Sequence, residues 1–224
     1  MLLAAGRGER MGALTHSQPK PLLEVGGERL IERQLRLLAA AGINEIVINL
    51  SYRGAAIRDL LGGRTPWNQR ITYSEEGEPP LETGGGVIAA LPLLGTEPFL
   101  LLNSDIYTDF DLGALIRMRR ANTLVLVPNP AHHPSGDFGL SAAGLVTREP
   151  PLSTFSGISV LCPSLFARFP PGRQPLRPVL DAAIDRGELQ GVLFEGYWED
   201  VGTPERLAAA RDHGRLTRQH PSRS

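Results

Sequence analysis

Short apolar runs alternate with helix-period segments along most of the chain, the pattern of βαβ units that feed a mainly parallel sheet. Leu2 to Ala4 reads as the end of a first strand, and Glu45-Ile-Val-Ile-Asn-Leu50 as a buried one. Between them, Glu28 to Ala41 carries Ile31, Leu35 and Leu38 at helical spacing, with Gly42 placed to end the helix. The same reading predicts a short helix over 53–61, a strand over 70–74 and a helix over 83–91. Phe99-Leu-Leu-Leu-Asn103 is apolar without alternation, as expected of a central strand covered on both faces.

The second half is less regular. It predicts a helix over 109–120, a strand over 123–127, hairpin pieces around 137–147 and a strand from Phe155 to Leu161. A helix over 176–186 places Leu176, Val179, Leu180, Ala183 and Ile184 on one face. A strand or loop over 192–201 leads into a last helix near Thr203. The expected organisation is one α/β domain over 1–212 with a polar, basic, frayed tail over 213–224.

Composition narrows the function. The 224 residues are 42% hydrophobic, enough to fill one substantial core. A net charge of −1 argues against a broad nucleic-acid or anionic-membrane footprint, so any highly charged ligand must meet cations gathered at one site. No run approaches the ~20 apolar residues of a membrane span, and the first residues lack the regions of a signal peptide. The expectation is a cytoplasmic protein, monomeric or a small homo-oligomer. Cys162, alone in an apolar run, reads as a buried reduced thiol.

The candidate chemistry starts at Leu3-Ala4-Ala5-Gly6-Arg-Gly8-Glu-Arg10-Met-Gly12, followed by Pro19-Lys20-Pro21. Small residues after a strand let backbone N–H groups approach phosphate oxygens. A dinucleotide fold would need its third glycine one place earlier and an acidic residue ending the second strand, which here ends Asn49-Leu50-Ser51. A P-loop would need G-K-[ST]. Both are missing. Arg10 and Lys20 supply two cations within one loop, and the flanking prolines are expected to hold the Lys20 stem in an extended segment.

L-A-A-G-R-G-E-R-M followed by P-K-P resembles the start of the sugar-phosphate nucleotidyltransferases, which implies a Rossmann-like, GT-A-like fold. The resemblance implies that Leu3, Ala4, Ala5, Gly6 and Gly8 cradle a nucleoside triphosphate with Arg10, and that Lys20 contacts phosphates at the reacting centre. Only Met1 to Ala4 precede the loop, where relatives usually have a longer first strand. The chain also ends too soon after Gly202 for an appended second enzyme domain, so a single activity is expected.

Further motifs extend the resemblance. Glu78-Pro-Pro-Leu81-Glu82-Thr83-Gly84-Gly85-Gly86 stands where the family reads the nucleobase, implying roles for Glu78, Thr83 and Gly84, with Glu82 where glycine is common. This variant is similar to the family's N-acetylmuramate-1-phosphate uridylyltransferase branch, in bacterial cell-wall recycling. Glu78 could accept the N3–H of uracil, although guanine also offers donors. Asn103-Ser-Asp105 and Trp198-Glu-Asp200-Val-Gly202-Thr203 match the family's two acidic motifs, implying that Asp105 and Asp200 hold Mg²⁺ with the substrate phosphates. On the acceptor side, Phe155-Ser156-Gly157, Val146-Thr-Arg148-Glu149 and Gly136-Asp137-Phe138 imply sugar-phosphate contacts at Ser156, Gly157, Glu149 and Asp137, with Arg148 offered in place of a missing lysine.

Other acids and histidines read as structural. Asp109 and Asp111 precede a helix and suit capping. His132-His133 has no partner cluster, and His16 is a loop residue. The expected reaction is transfer of UMP from UTP to a sugar 1-phosphate. The alternatives are a thymidylyl- or guanylyltransferase acting on another sugar phosphate, and a noncatalytic nucleotide-sensing relative.

Overall fold

A computed structural model describes residues 1–219. The first strand, β1 (Leu2–Leu3), is followed by a 3-10 segment over Glu9–Thr15, kinked at Gly12, and a single 3-10 turn over Lys20–Leu22. A small hairpin, β2 (Glu24–Val25) and β3 (Glu28–Arg29), leads into α1 (Leu30–Ala40), which buries Ile31, Leu35 and Leu38 as its spacing requires. Gly42, with φ of 80°, terminates that helix and donates its N–H to the Ala39 carbonyl at 2.9 Å. Then come β4 (Glu45–Leu50), α2 (Gly54–Leu61), β5 (Arg70–Glu75) and α3 (Glu82–Leu94).

The centre of the chain supplies β6 (Phe99–Asn103), β7 (Ile106–Thr108), α4 (Leu112–Arg117) and β8 (Thr123–Val127). The helix α4 is shorter than expected, because Asp111 caps its start by accepting the Ala114 N–H at 3.0 Å. There follow β9 (Phe138–Leu140), β10 (Val146–Thr147), the long β11 (Leu152–Leu161), α5 (Arg177–Asp185), β12 (Gln190–Leu193), β13 (Trp198–Asp200) and α6 (Pro204–Gln219).

Among the described residues, nine strands join in one sheet. Strands β6, β1, β4 and β5 run parallel in that spatial order, and β8 and β12 are parallel to each other. Between these blocks lies β11, antiparallel to both β6 and β8. The result is the mainly parallel, helix-flanked α/β fold expected from the alternating pattern. Two apolar clusters cover its faces, one around Leu2, Ile48 and Leu102, the other around Leu101, Leu126 and Val179. A third, with Met11, Leu23, Tyr107, Val201 and Leu207, ties the N-terminal loop to β7 and α6.

Two boundary expectations change. The last helix continues through the presumed tail to Gln219, because Leu207 and Ala210 bury against the third cluster and anchor it; the rest of that tail, 220–224, lies outside the described residues. Cys162 is half-buried rather than buried, and partial desolvation pushes its thiol pKa up.

Candidate active site

The C-terminal ends of β1, β4, β5 and β6 converge on a cleft of about 530 Å³. That is where ligands enter open α/β sheets. Leu3, Ala4, Ala5 and Gly6 form one wall, Thr83 and Arg173 the opposite one, and Asn103, Asp105 and Lys20 the floor. A methyl group built on Gly6 would meet nothing within 4 Å, so this residue borders open space.

Lys20 is buried and its Nζ forms an ion pair with an Asp105 carboxylate oxygen. The expected extended segment ends one residue early: Pro19 is extended (ψ 150°), whereas Lys20 starts a 3-10 turn that contains Pro21. Gly8 makes the approach possible. With φ of 65°, it has no side chain where a methyl would crowd Lys20 Cβ at 3.2 Å and Thr15 at 3.1 Å. Its role is to admit the lysine stem.

Two residues that the sequence did not single out as ligands hold the walls together. Asn49, at the end of β4, accepts the Ala4 N–H at 2.8 Å and donates to Glu76 at 2.6 Å. Glu76 also accepts the Leu81 N–H at 2.8 Å, so a single chain of hydrogen bonds joins the glycine loop to the start of α3. The available signal was positional, since both lie at carboxyl ends of parallel strands.

The base-side loop differs from expectation. Glu78 turns to Arg7 in an ion pair at the surface, and Glu76 takes the position in the cleft. Gly84 and Gly85 face away from the cleft, against the segment 172–175. A methyl on Gly84 would lie 2.5 Å from the Pro175 carbonyl oxygen, and the Gly85 N–H is already taken by Gln174 at 2.9 Å. Gly86 leaves room for Glu76 and Asn49. The glycine run therefore serves close packing, while Thr83 borders the cleft. Glu82 adopts φ of 62°, a left-handed conformation that explains why glycine suits this position, and it pairs with Arg173 at 2.8 Å.

Beside the cleft, Asp200 ends β13, and the Val201 N–H donates to the Asp105 carbonyl at 2.9 Å, bringing the two acidic motifs side by side. The Asp200 carboxylate is held by Arg206 at 2.7 Å, and Arg10 approaches the same point across Gly202. His132 Nε2 accepts from Arg206 at 2.8 Å; burial, then the adjacent guanidinium, lowers its pKa and keeps it neutral. Among the described residues, no three or more acidic, histidine or cysteine side chains gather as a metal cluster.

The acceptor-side candidates Ser156, Gly157, Asp137 and Glu149 are not among the residues that line this cleft, although Gly157 abuts Asn103 in its floor. Ser156 is buried and donates its hydroxyl to the Val125 carbonyl at 2.7 Å, inside the irregular β8–β11 pairing. Gly157, with φ of 80°, vacates the space filled by the Asn103 side chain, 2.5 Å from where its methyl would be. Asp137 accepts the Phe155 N–H at 2.8 Å and contacts His133 at 3.1 Å, fixing a turn. Glu149 is exposed, and Arg148 is directed to Asp185 and Asp181 on α5 at 2.8 and 3.1 Å. For Ser156, Asp137 and Arg148, local pairing offers a partner that the motif does not reveal.

Residues 1–149 match the family model described as nucleotidyl transferase. The chain belongs to the nucleotidyl transferase family. Over 94% of its length, this nucleotidyl transferase is 42% identical to the N-acetylmuramate alpha-1-phosphate uridylyltransferase of Neisseria meningitidis serogroup B, of which it covers 96%. It is 34% identical, over 94% of both chains, to the protein of the same name from Caulobacter vibrioides. Its fold is similar to a putative glucose-1-phosphate thymidylyltransferase of Bacillus anthracis, with a TM-score of 0.85 at 18% identity, covering 96% of this chain and 94% of that one.

Proposed function

We propose that this nucleotidyl transferase moves UMP from UTP to N-acetylmuramate α-1-phosphate, releasing pyrophosphate. The observation that carries the reaction type is the cleft floor, where Lys20 and Asp105 meet beneath the glycine loop and beside Asp200 and Arg10. Nearly full-length kinship with two proteins named for that reaction supports the choice of substrates.

The acceptor phosphate needs no general base. Its second pKa near 6 leaves it doubly charged at neutral pH. One of its oxygens attacks the α-phosphorus of UTP; the bond to the β-phosphate oxygen breaks, and its electron pair leaves with pyrophosphate. The obstacle is repulsion between anions, which Lys20 and Arg10 offset in a partly water-excluded site. Asp105 and Asp200 are hard oxygen donors on adjoining backbone, a donor set that fits Mg²⁺ completed by phosphates and water. When bound there, Mg²⁺ would supply charge neutralisation and orient phosphate oxygens. The reading places the enzyme in the cytoplasm, as a monomer or small homo-oligomer returning recovered muramate to cell-wall precursors.

A pyrophosphate-release panel tests the proposal, with UTP, dTTP, GTP and CTP against N-acetylmuramate, glucose and mannose 1-phosphates, with and without chelator. The expected result is Mg²⁺-dependent release, highest with UTP and N-acetylmuramate 1-phosphate. Preference for dTTP with glucose 1-phosphate would overturn the substrates, and no release with any pair would overturn the reaction.

A further inference from the structure

Arg206 lies in the first turn of α6, six residues after Asp200, and has a buried guanidinium. Thr203 and Pro204 set its place: Thr203 Oγ1 accepts the Arg206 N–H at 3.4 Å, and Pro204 suits the first helical position. Nη1 serves both Asp200 at 2.7 Å and His132 at 2.8 Å, while buried Nε has no hydrogen-bond partner. Gly202 is needed for this arrangement, because a methyl there would collide with Arg206 Nη2 and stand 3.0 Å from Asp200 Oδ1. A buried, incompletely bonded arginine is costly as a stability device, so its position against one carboxylate calls for another account.

We propose that Arg206 is a positioning residue that serves as the internal counter-ion of Asp200 in the ligand-free enzyme and keeps a divalent cation from settling there alone. This rests on the proposed reaction, through the assignment of Asp200 as a metal-holding carboxylate. Lys20 stands in the same relation to Asp105. Each carboxylate thus carries its own cation, and the free site has little net negative charge to attract a metal. A nucleoside triphosphate reverses the balance. Its phosphates offer Arg206 and Lys20 alternative anionic partners and bring oxygen donors, so cation and nucleotide enter together. His132 accepts from Arg206 through Nε2 and holds the guanidinium in place before that exchange.

The test measures Mn²⁺ binding without turnover, by electron paramagnetic resonance of free Mn²⁺ in titrations with and without UTP and no acceptor, each read against a protein-free titration so that Mn²⁺ chelated by UTP alone is subtracted. Wild-type protein should bind Mn²⁺ weakly alone and at least about tenfold more tightly with UTP. Arg206→Gln should strengthen nucleotide-free binding by about tenfold or more, as expected when a positive charge beside the site is removed. Arg206→Lys should stay near wild type if charge is the determinant, and circular dichroism establishes that both variants are folded. Equal wild-type affinity with and without UTP would overturn the proposal, as would unchanged nucleotide-free affinity in folded Arg206→Gln. Because no acceptor is present, failure here leaves the substrate panel independent; a failed panel with the expected Mn²⁺ behaviour would overturn the reaction alone.

Discussion

Lys20 pays a desolvation penalty that only Asp105 and an incoming anion can offset, and this makes it the residue on which turnover should depend most. Its ammonium is a point charge on a flexible stem, held here by the space that Gly8 leaves and by the turn that begins at Pro19. Lys20→Ala should slow pyrophosphate release by about 10²-fold or more, typical of losing a preorganised electrostatic stabiliser. Steady-state kinetics should place most of the loss in kcat; a change confined to KM would show that the lysine binds ground state and transition state equally. Lys20 stood out in the sequence between two prolines, and Asp105 and Asp200 through the resemblance of their motifs to the family's. The sequence did not reveal that Ser156 bonds inside the sheet, that Asp137 fixes a turn, or that Glu78 turns to Arg7, because those outcomes depend on partners 18 to 71 residues away.

Among the elements, α3 carries the most information about how the cleft is shaped. Its first turn packs so closely on the segment 172–175 that Gly85 has the Gly172 carbonyl where a side chain would begin. Alanine is favoured over glycine in a helix by about 1 kcal/mol, which would ordinarily make Gly85→Ala stabilising. The obstacle here is backbone, which cannot swing aside, and overpacking costs about 1–3 kcal/mol. The clash should win. Urea denaturation should show net destabilisation of up to about 2 kcal/mol, and the KM for UTP should rise because Thr83 lies on the same turn. Equal or greater stability would mean that the 172–175 segment yields freely. Strands β4, β6 and β8 were legible because continuous apolar runs suit a sheet covered on both faces. The work of the glycines in α3 was not, since nothing within 82–94 encodes the approach of a loop nearly ninety residues later.

At the scale of the whole molecule, the two halves of the site come from opposite ends of the chain and are kept in register by the third apolar cluster. Met11 and Leu23 bring in the segments beside Lys20, Tyr107 and Val201 come from the acidic motifs, and Leu207 from the helix that carries Arg206. Tyr197 packs edge-on against Tyr107 at 6.1 Å, and burial raises its pKa to about 12, so it stays protonated across the working range. Leu207→Ala should therefore do two things at once. Truncating a fully buried leucine costs about 2–5 kcal/mol, readable by urea denaturation. It should also lower kcat under conditions where the variant remains folded, because the cavity lies between the elements that position Lys20 and Asp200. Leu180→Ala is the matched control: Leu180 is as deeply buried, but in the cluster under α5 and away from the cleft. A similar loss of stability with kcat near wild type at Leu180, against a reduced kcat at Leu207, would tie catalytic geometry to the third cluster. Equal effects on kcat at both positions would show that turnover follows global stability alone.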